Sequence, residues 1–134
     1  MNNTKIHTDV DALKARHVLL KEFRYKLRPV VRGYNMRTLY VNVSSHEIRE
    51  KPVSEEMKQK FTGGKGFGLK LLWDAISDTT RWNDPENEIN IGMGPICGNT
   101  NYPGSGKSLV VSISPLTDIP IDSNVGGYFG PYLK

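Results

Sequence analysis

Hydrophobic residues near the start of the chain recur at helical spacing on an otherwise charged background. The apolar positions of this stripe are Val10, Leu13, Leu20, Phe23 and Leu27. Thr8, with Asp11 three residues on, forms the acidic variant of a capping box. Pro29 lacks a backbone donor and disfavours helix in the residue before it. We therefore expect an amphipathic helix over residues 9–27, which needs a surface to lie on.

From Thr38 the period changes from helical to two. Leu39, Val41 and Val43 alternate with polar residues, residues 44–46 have turn composition, and residues 48–53 can return as the second strand of a hairpin. Pro52 places that return strand at a sheet edge. Ser54 can cap a short helix through residue 61, because two acidic residues follow it in the first turn.

The second half of the chain alternates glycine-rich turns with short apolar runs. A helix over 67–76 follows the glycine run 62–68, and strands are predicted over 89–93 and 108–113. Strands that lack regular alternation with helices favour an α+β class. We expect a β-rich half-domain with one or two helices packed on a mostly antiparallel sheet, preceded by the N-terminal amphipathic helix.

The charge is concentrated at one end of the chain, whose 134 residues suffice for one domain. Residues 1–37 carry a net charge of +6 and the other 97 residues −2. A solvated or partner-facing helix is favoured over nucleic-acid binding, because no aromatic residues are interleaved with the basic ones in an RNA-binding pattern. No apolar run approaches the length of a membrane span and no signal-peptide core is visible, so we predict a cytoplasmic protein.

A single cysteine limits the possible metal chemistry. Cys97 and three scattered histidines cannot supply four converging ligands for structural zinc, and one thiol cannot hold an iron–sulfur cluster. Any metal must therefore be held mostly by groups other than the side chains of this chain. Cys97 is predicted to be a small core residue rather than a nucleophile, because no histidine stands near it in sequence.

Two glycine-rich segments suggest backbone close to a ligand. Residues 102–108 end like a phosphate-binding loop, but Asn101 stands where that motif needs glycine and a strand follows where it needs a helix. A glycine turn with Lys107 at its exit still brings amides and one cation to an anionic group. Residues 122–130 fit either a glycine-rich hairpin with aromatic packing or a main chain that a ligand approaches.

Six motifs in the same order resemble a known family. They are Leu39-Tyr40-Val41-Asn42-Val43-Ser44, Gly63-Gly64-Lys65-Gly66-Phe67-Gly68, Asp84-Pro85-Glu86-Asn87-Glu88, Gly94-Pro95, Ser114-Pro115-Leu116-Thr117 and Gly126-Gly127-Tyr128-Phe129-Gly130. Together they resemble the N-terminal segment of tungsten-dependent aldehyde ferredoxin oxidoreductases. The division that follows is a basic helical extension over 1–33 and an incomplete tungstopterin-base domain over 34–134.

The resemblance implies a bis-pyranopterin cofactor carrying tungsten or molybdenum, held through the pterin sulfurs. It also implies that Lys107, Asn124 and Gly126 meet the cofactor phosphates, with Asn124 at the magnesium ion that bridges them. Arginine is usual at the first of these positions, so Lys107 keeps the charge and loses the bidentate fork.

The resemblance further implies a role as part of an enzyme. The iron–sulfur cysteines and acid/base residues of the family lie downstream, so catalytic residues are not expected in this chain and it is not catalytic alone. We expect a small subunit or split N-terminal part of an oxidoreductase that converts aldehyde to carboxylate, or of a relative acting on aromatic acyl-CoA. The implied partners are a larger catalytic subunit, which supplies the iron–sulfur cluster, and ferredoxin or another electron carrier. The alternative is a non-catalytic scaffold or fragment that has lost the cofactor.

Overall fold

A computed structural model describes residues 9–134, which contain four helices and five strands. In chain order the elements are α1 (Val10–Ala15), β1 (Arg37–Asn42), β2 (Glu47–Pro52), α2 (Glu55–Phe61), α3 (Lys65–Ala75), β3 (Asn90–Met93), β4 (Ser108–Ile113), β5 (Pro120–Val125) and α4 (Phe129–Leu133). The predicted α+β class is confirmed. The strands form two antiparallel sheets, β1-β2 and β3-β4-β5.

The first sheet is the hairpin that the period-two pattern predicts. β1 and β2 pair in register from Arg37 opposite Pro52 to Asn42 opposite Glu47. The Asn42 side chain closes the turn, because its Oδ1 accepts from the backbone amides of Ser44 and Ser45 at 3.0 and 2.9 Å. Both strands are edges, which fits proline at the end of β2.

The core lies between α3 and the three-stranded sheet. Val111 in the central strand β4 is fully buried, Leu72 of α3 is 1% exposed, and Ile113 joins them. α3 approaches β4 closely at Gly68, where an added Cβ would lie 2.7 Å from Cγ2 of Val111. This contact requires glycine, and it explains why the motif that begins α3 is glycine-rich.

The long N-terminal helix expected over residues 9–27 is wrong. Thr8 and the residues before it lie outside the described part, Asp9 caps α1 through its side chain, and the helix ends at Ala15. No residue of α1 is buried, so no packing sustains the helix. Residues further on are instead held in irregular conformation: the Arg37 guanidinium donates to the carbonyl oxygen of Lys26 at 3.2 Å and lies 5.1 Å from the Tyr25 ring centre.

Two elements near the end of the described chain were not predicted. β5 contains Asp122, Ser123 and Asn124, residue types with low strand propensity, and only its pairing with β4 makes it a strand. α4 contains glycine and proline, which are poor helix formers. Gly130 of α4 packs against Cys97, where an added Cβ would lie 3.0 Å from the sulfur. Tertiary contacts therefore decide both elements.

Candidate functional site

The register of β4 and β5 brings the three predicted cofactor residues to one end of the second sheet. Leu109 pairs with Asn124, and Ser108 pairs with Val125. Lys107 directly precedes Ser108 and Gly126 directly follows Val125, so both residues lie where the ladder ends. Lys107, just before the start of β4, and Asn124 and Gly126, at the end of β5, therefore lie at one exposed location.

The two loops beyond this end of the ladder touch through glycine. An added Cβ at Gly106 would lie 2.1 Å from the carbonyl oxygen of Gly127, so the backbones are in direct contact. Gly127 has a φ of +87°, in the left-handed region that favours glycine. The backbone at Gly126 and Gly127 is open on its other side, because Cβ atoms built at these two glycines would meet nothing within 4 Å. Exposed main chain beside a cation is a suitable surface for an anionic ligand.

Asn124 lies on the sheet face that α3 covers. Paired residues of antiparallel strands project to the same face, so Asn124 shares the face of Leu109. The Cδ1 atom of Leu109 would lie 3.0 Å from a Cβ built at Gly64, directly before α3. The start of α3 and Asn124 therefore belong to one side of the molecule.

An ion pair on the same face was not anticipated from the sequence. The ammonium of Lys65, the first residue of α3, lies 2.6 Å from a carboxylate oxygen of Asp122, two residues before Asn124. The Lys65 side chain is 55% exposed. The glycine run around Lys65 was the available signal, but only the register of β5 reveals that Asp122 reaches it. This pair places a lysine, whose charge Asp122 balances, on the same face as the predicted site and ties α3 to β5.

The glycine run before α3 forms a tight turn against β3. The amide of Gly64 donates to the carbonyl oxygen of Met93 at 3.0 Å, and Gly64 has a φ of +51°. Gly92 passes close by, since its added Cβ would lie 3.1 Å from the carbonyl oxygen of Gly64. The glycine run therefore packs backbone against backbone between α3 and β3.

The segment that ends like a phosphate-binding loop leads into a strand. β4 begins at Ser108, directly after Lys107. A nucleotide-binding loop of that type needs a helix after it, whose N-terminus helps to bind the phosphates. The structure therefore keeps the weaker interpretation, a glycine turn with one exposed lysine at its exit.

Cys97 is buried, as predicted, and its thiol is poorly nucleophilic. It is 6% exposed, and burial raises the pKa of its thiol while the nearby Lys134 opposes that rise. A thiol with a raised pKa is a poor nucleophile at neutral pH. Cys97 therefore serves to pack the end of β3 and the loop after it against α4.

Residues 9–134 contain no group of three His, Cys, Asp or Glu side chains placed to hold a metal ion. Within the same range no helix is long and apolar enough to cross a membrane.

The chain belongs to a family of known enzymes. The family described as aldehyde ferredoxin oxidoreductase, N-terminal domain, matches residues 38–134, which is most of the chain. The resemblance drawn from the six motifs is thereby confirmed. The matched region contains both sheets except for Arg37, the helices α2 to α4 and all three predicted cofactor residues.

Individual relatives give the same assignment. The chain is 37% identical over 102 residues to the tungsten-containing aldehyde ferredoxin oxidoreductase of Pyrococcus horikoshii, covering 76% of this chain and 17% of that protein. The protein of the same name in Pyrococcus furiosus is 38% identical over 98 residues, with coverages of 73% and 16%. An aliphatic sulfonate oxidoreductase, WOR-like subunit, of Pyrococcus furiosus is 34% identical over 105 residues, with coverages of 76% and 16%.

A solved structure has the same fold. The active site complex BamBC of benzoyl coenzyme A reductase, in complex with 1,5 dienoyl-CoA, matches with a TM-score of 0.71 and 27% identity over 75% of this chain and 15% of that one. The chain thus spans about a sixth of the length of the relatives that it matches.

Proposed function

We propose that this chain completes the pterin cofactor site of a tungsten (or molybdenum) oxidoreductase of the aldehyde ferredoxin oxidoreductase type. It would act as a small subunit or as the split N-terminal part of that enzyme. The observation that carries the proposal is the convergence of Lys107, Asn124 and Gly126 at one end of the β4–β5 ladder. These residues come from two separate glycine-rich segments and lie at one exposed location beside the Gly106–Gly127 contact.

The residues at this location fit a phosphate-bearing cofactor. Lys107 is exposed and supplies a cation for a phosphate oxygen. Asn124 has an amide oxygen, a ligand type that suits magnesium, and the main chain at Gly126 is open on one side. When bound, the tungsten or molybdenum pterin would supply the two-electron redox chemistry. The residues of this chain would bind and orient the phosphate end of that cofactor.

The proposed enzyme needs a larger partner. The matched relatives are about six times longer than the region they share with this chain, and we propose that the rest of the fold lies in a larger catalytic subunit. We propose that this partner holds the iron–sulfur cluster and the acid/base residues, that ferredoxin or a similar carrier accepts the electrons, and that the complex is cytoplasmic. The substrate is proposed to be an aldehyde, or an aromatic acyl-CoA by analogy with the structural neighbour.

The proposed division of the chain falls near residue 33. Tyr34 is attached to the family domain, because its hydroxyl donates to the carbonyl oxygen of Thr62 at 2.6 Å and its ring stacks on Phe67 with centres 6.2 Å apart. The family match begins close by, at residue 38. These contacts support a basic extension over 1–33 and a domain over 34–134.

Metal analysis of the native complex tests the proposal. The chain is co-expressed with the gene that encodes the proposed larger subunit, and the co-purified complex is analysed for tungsten, molybdenum and pterin. We expect metal and pterin in the complex. A complex with all natural partners but without metal or pterin would favour the alternative, a scaffold that has lost the cofactor.

A further inference from the structure

A cluster of backbone carbonyl groups surrounds one lysine on the side of Cys97. The Lys134 ammonium donates to the carbonyl oxygens of Pro95 at 2.7 Å and Cys97 at 3.0 Å, and Gly94 lies at 3.5 Å. All three acceptors belong to one turn, closed by a hydrogen bond from the Cys97 amide to the Gly94 carbonyl at 3.1 Å. An ammonium has three N–H donors. Donors and acceptors therefore match in number.

The charge of Lys134 is balanced by dipoles and not by a carboxylate. Among the ion pairs formed within residues 9–134, none involves Lys134. Its side chain is half-buried, so carbonyl oxygens replace water around the ammonium. Rings of carbonyl oxygens recognise monovalent cations in the same way, by replacing the hydration shell.

The lysine connects three parts of the fold. It directly follows α4, and the Asn35 side-chain amide donates to the main-chain oxygen of Lys134 at 3.1 Å. Gly130, one turn earlier in α4, packs against Cys97 and against the carbonyl oxygen of Gly106. Gly106 in turn touches Gly127. The ammonium therefore fixes α4 to the turn 94–97, and α4 supports the loop that carries the glycine contact.

We propose that the turn 94–97 is a monovalent-cation site whose resident cation is the Lys134 ammonium, and that this ammonium positions α4 and the Gly106–Gly127 contact. The site would accept a free ammonium or potassium ion once the lysine is removed. The Lys134 contact belongs to the fold around these loops and does not depend on a pterin binding there.

Chemical rescue of a lysine variant tests the site. In the complete chain, Lys134→Met keeps an apolar stem and leaves the carbonyls without their donor, so the melting temperature should fall by about 5–10 °C. Ammonium chloride should restore most of this loss, and potassium chloride part of it, relative to tetramethylammonium chloride at equal ionic strength. Lys21→Met, at an exposed lysine, should show neither the loss nor the rescue. A loss that all three salts leave unchanged would overturn the cation site.

A measurement on the unaltered protein keeps the proposal testable if that variant fails to fold. Lysine ammonium groups held by acceptors exchange their protons slowly with water, and each gives a proton–nitrogen correlation. The Lys134 ammonium should be visible under conditions where the Lys21 ammonium has exchanged away. Equal exchange rates at Lys134 and Lys21 would contradict the proposal.

Discussion

The two sheets of this protein, with the segments that cover them, differ in how they are held together. In the β3-β4-β5 sheet, Val111 and Leu72 are almost completely buried against each other. Beside the β1-β2 hairpin, Leu19 and Leu27 in the preceding segment are 79% and 87% exposed. That segment is held instead by polar contacts, chiefly those of Arg37. The stability of the fold therefore comes from the second sheet, which also forms the proposed cofactor site.

The largest expected effect comes from the core of the second sheet. Leu72→Ala should lower the free energy of unfolding by about 2–5 kcal/mol, because it removes buried methyl groups and leaves a cavity beside Val111. The matched variant Leu19→Ala should change it by less than about 0.5 kcal/mol, as expected for an exposed residue. Denaturant unfolding measures both. Equal losses of unfolding free energy in the two variants would show that the two regions contribute equally to stability.

Gly106 and Gly126, at the same end of the second sheet, should differ in their tolerance of alanine. Gly106→Ala would place a methyl group 2.1 Å from the carbonyl oxygen of Gly127, so the loops must separate. We expect a loss of stability of about 1–3 kcal/mol, the range for overpacking. Gly126→Ala meets nothing within 4 Å and should leave the fold unchanged. Thermal unfolding of the two variants compares them, and an equally stable Gly106→Ala protein would refute the close contact.

In the first region a single arginine should govern the order of the N-terminal segment. The Arg37 side chain, 14% exposed, contacts Glu50 at 2.8 Å, the Lys26 carbonyl and the Tyr25 ring. Arg37→Ala should release the segment around Lys26, with accelerated hydrogen exchange there and little change in β4. Arg24→Ala, whose side chain is 90% exposed, serves as the control. Unchanged exchange near Lys26 in Arg37→Ala would show that other contacts hold the segment.

The smallest expected effect is a pH dependence at Glu88. Burial raises the pKa of this carboxyl above its ordinary value of 4.5, although Lys51 and Arg49 of β2 oppose the rise. The folded state therefore favours the protonated form. The stabilisation is complete below pH 4.5 and is lost as the pH rises through the folded-state pKa. Glu88→Gln should thus melt higher than the parent at neutral pH and equally below pH 4.5, and a constant difference across this range would contradict the assignment.

The sequence predicted strands correctly where the apolar pattern is clear, and it misled where tertiary contacts decide the conformation. β4 was predicted with its observed bounds, because Leu109, Val110 and Val111 form a short apolar run. The helix over 9–27 failed because a periodic stripe does not supply a surface to pack on. β5 was missed because its residues favour turns, and only hydrogen bonds to β4 override that preference.

For the candidate site too, the sequence indicated residues but not their spatial arrangement. The roles of Lys107, Asn124 and Gly126 as cofactor contacts were implied by the family resemblance, and they stay predictions. Their proximity depends on the register of a strand that the sequence did not reveal. The Lys65–Asp122 ion pair depends on the same register, and so it was not foreseen.

Cofactor retention in Lys107 variants tests whether this end of the sheet binds the pterin phosphates. In the co-purified complex, Lys107→Ala removes a charge-assisted hydrogen bond to phosphate, a contribution of about 1.5–3 kcal/mol, so the tungsten or molybdenum and pterin content should fall. Lys107→Arg should preserve or raise that content, and Lys51→Ala, at an exposed position on the edge strand β2, should leave it unchanged. Equal metal and pterin content in the parent and Lys107→Ala complexes would contradict the assignment of the cofactor site to this end of the sheet.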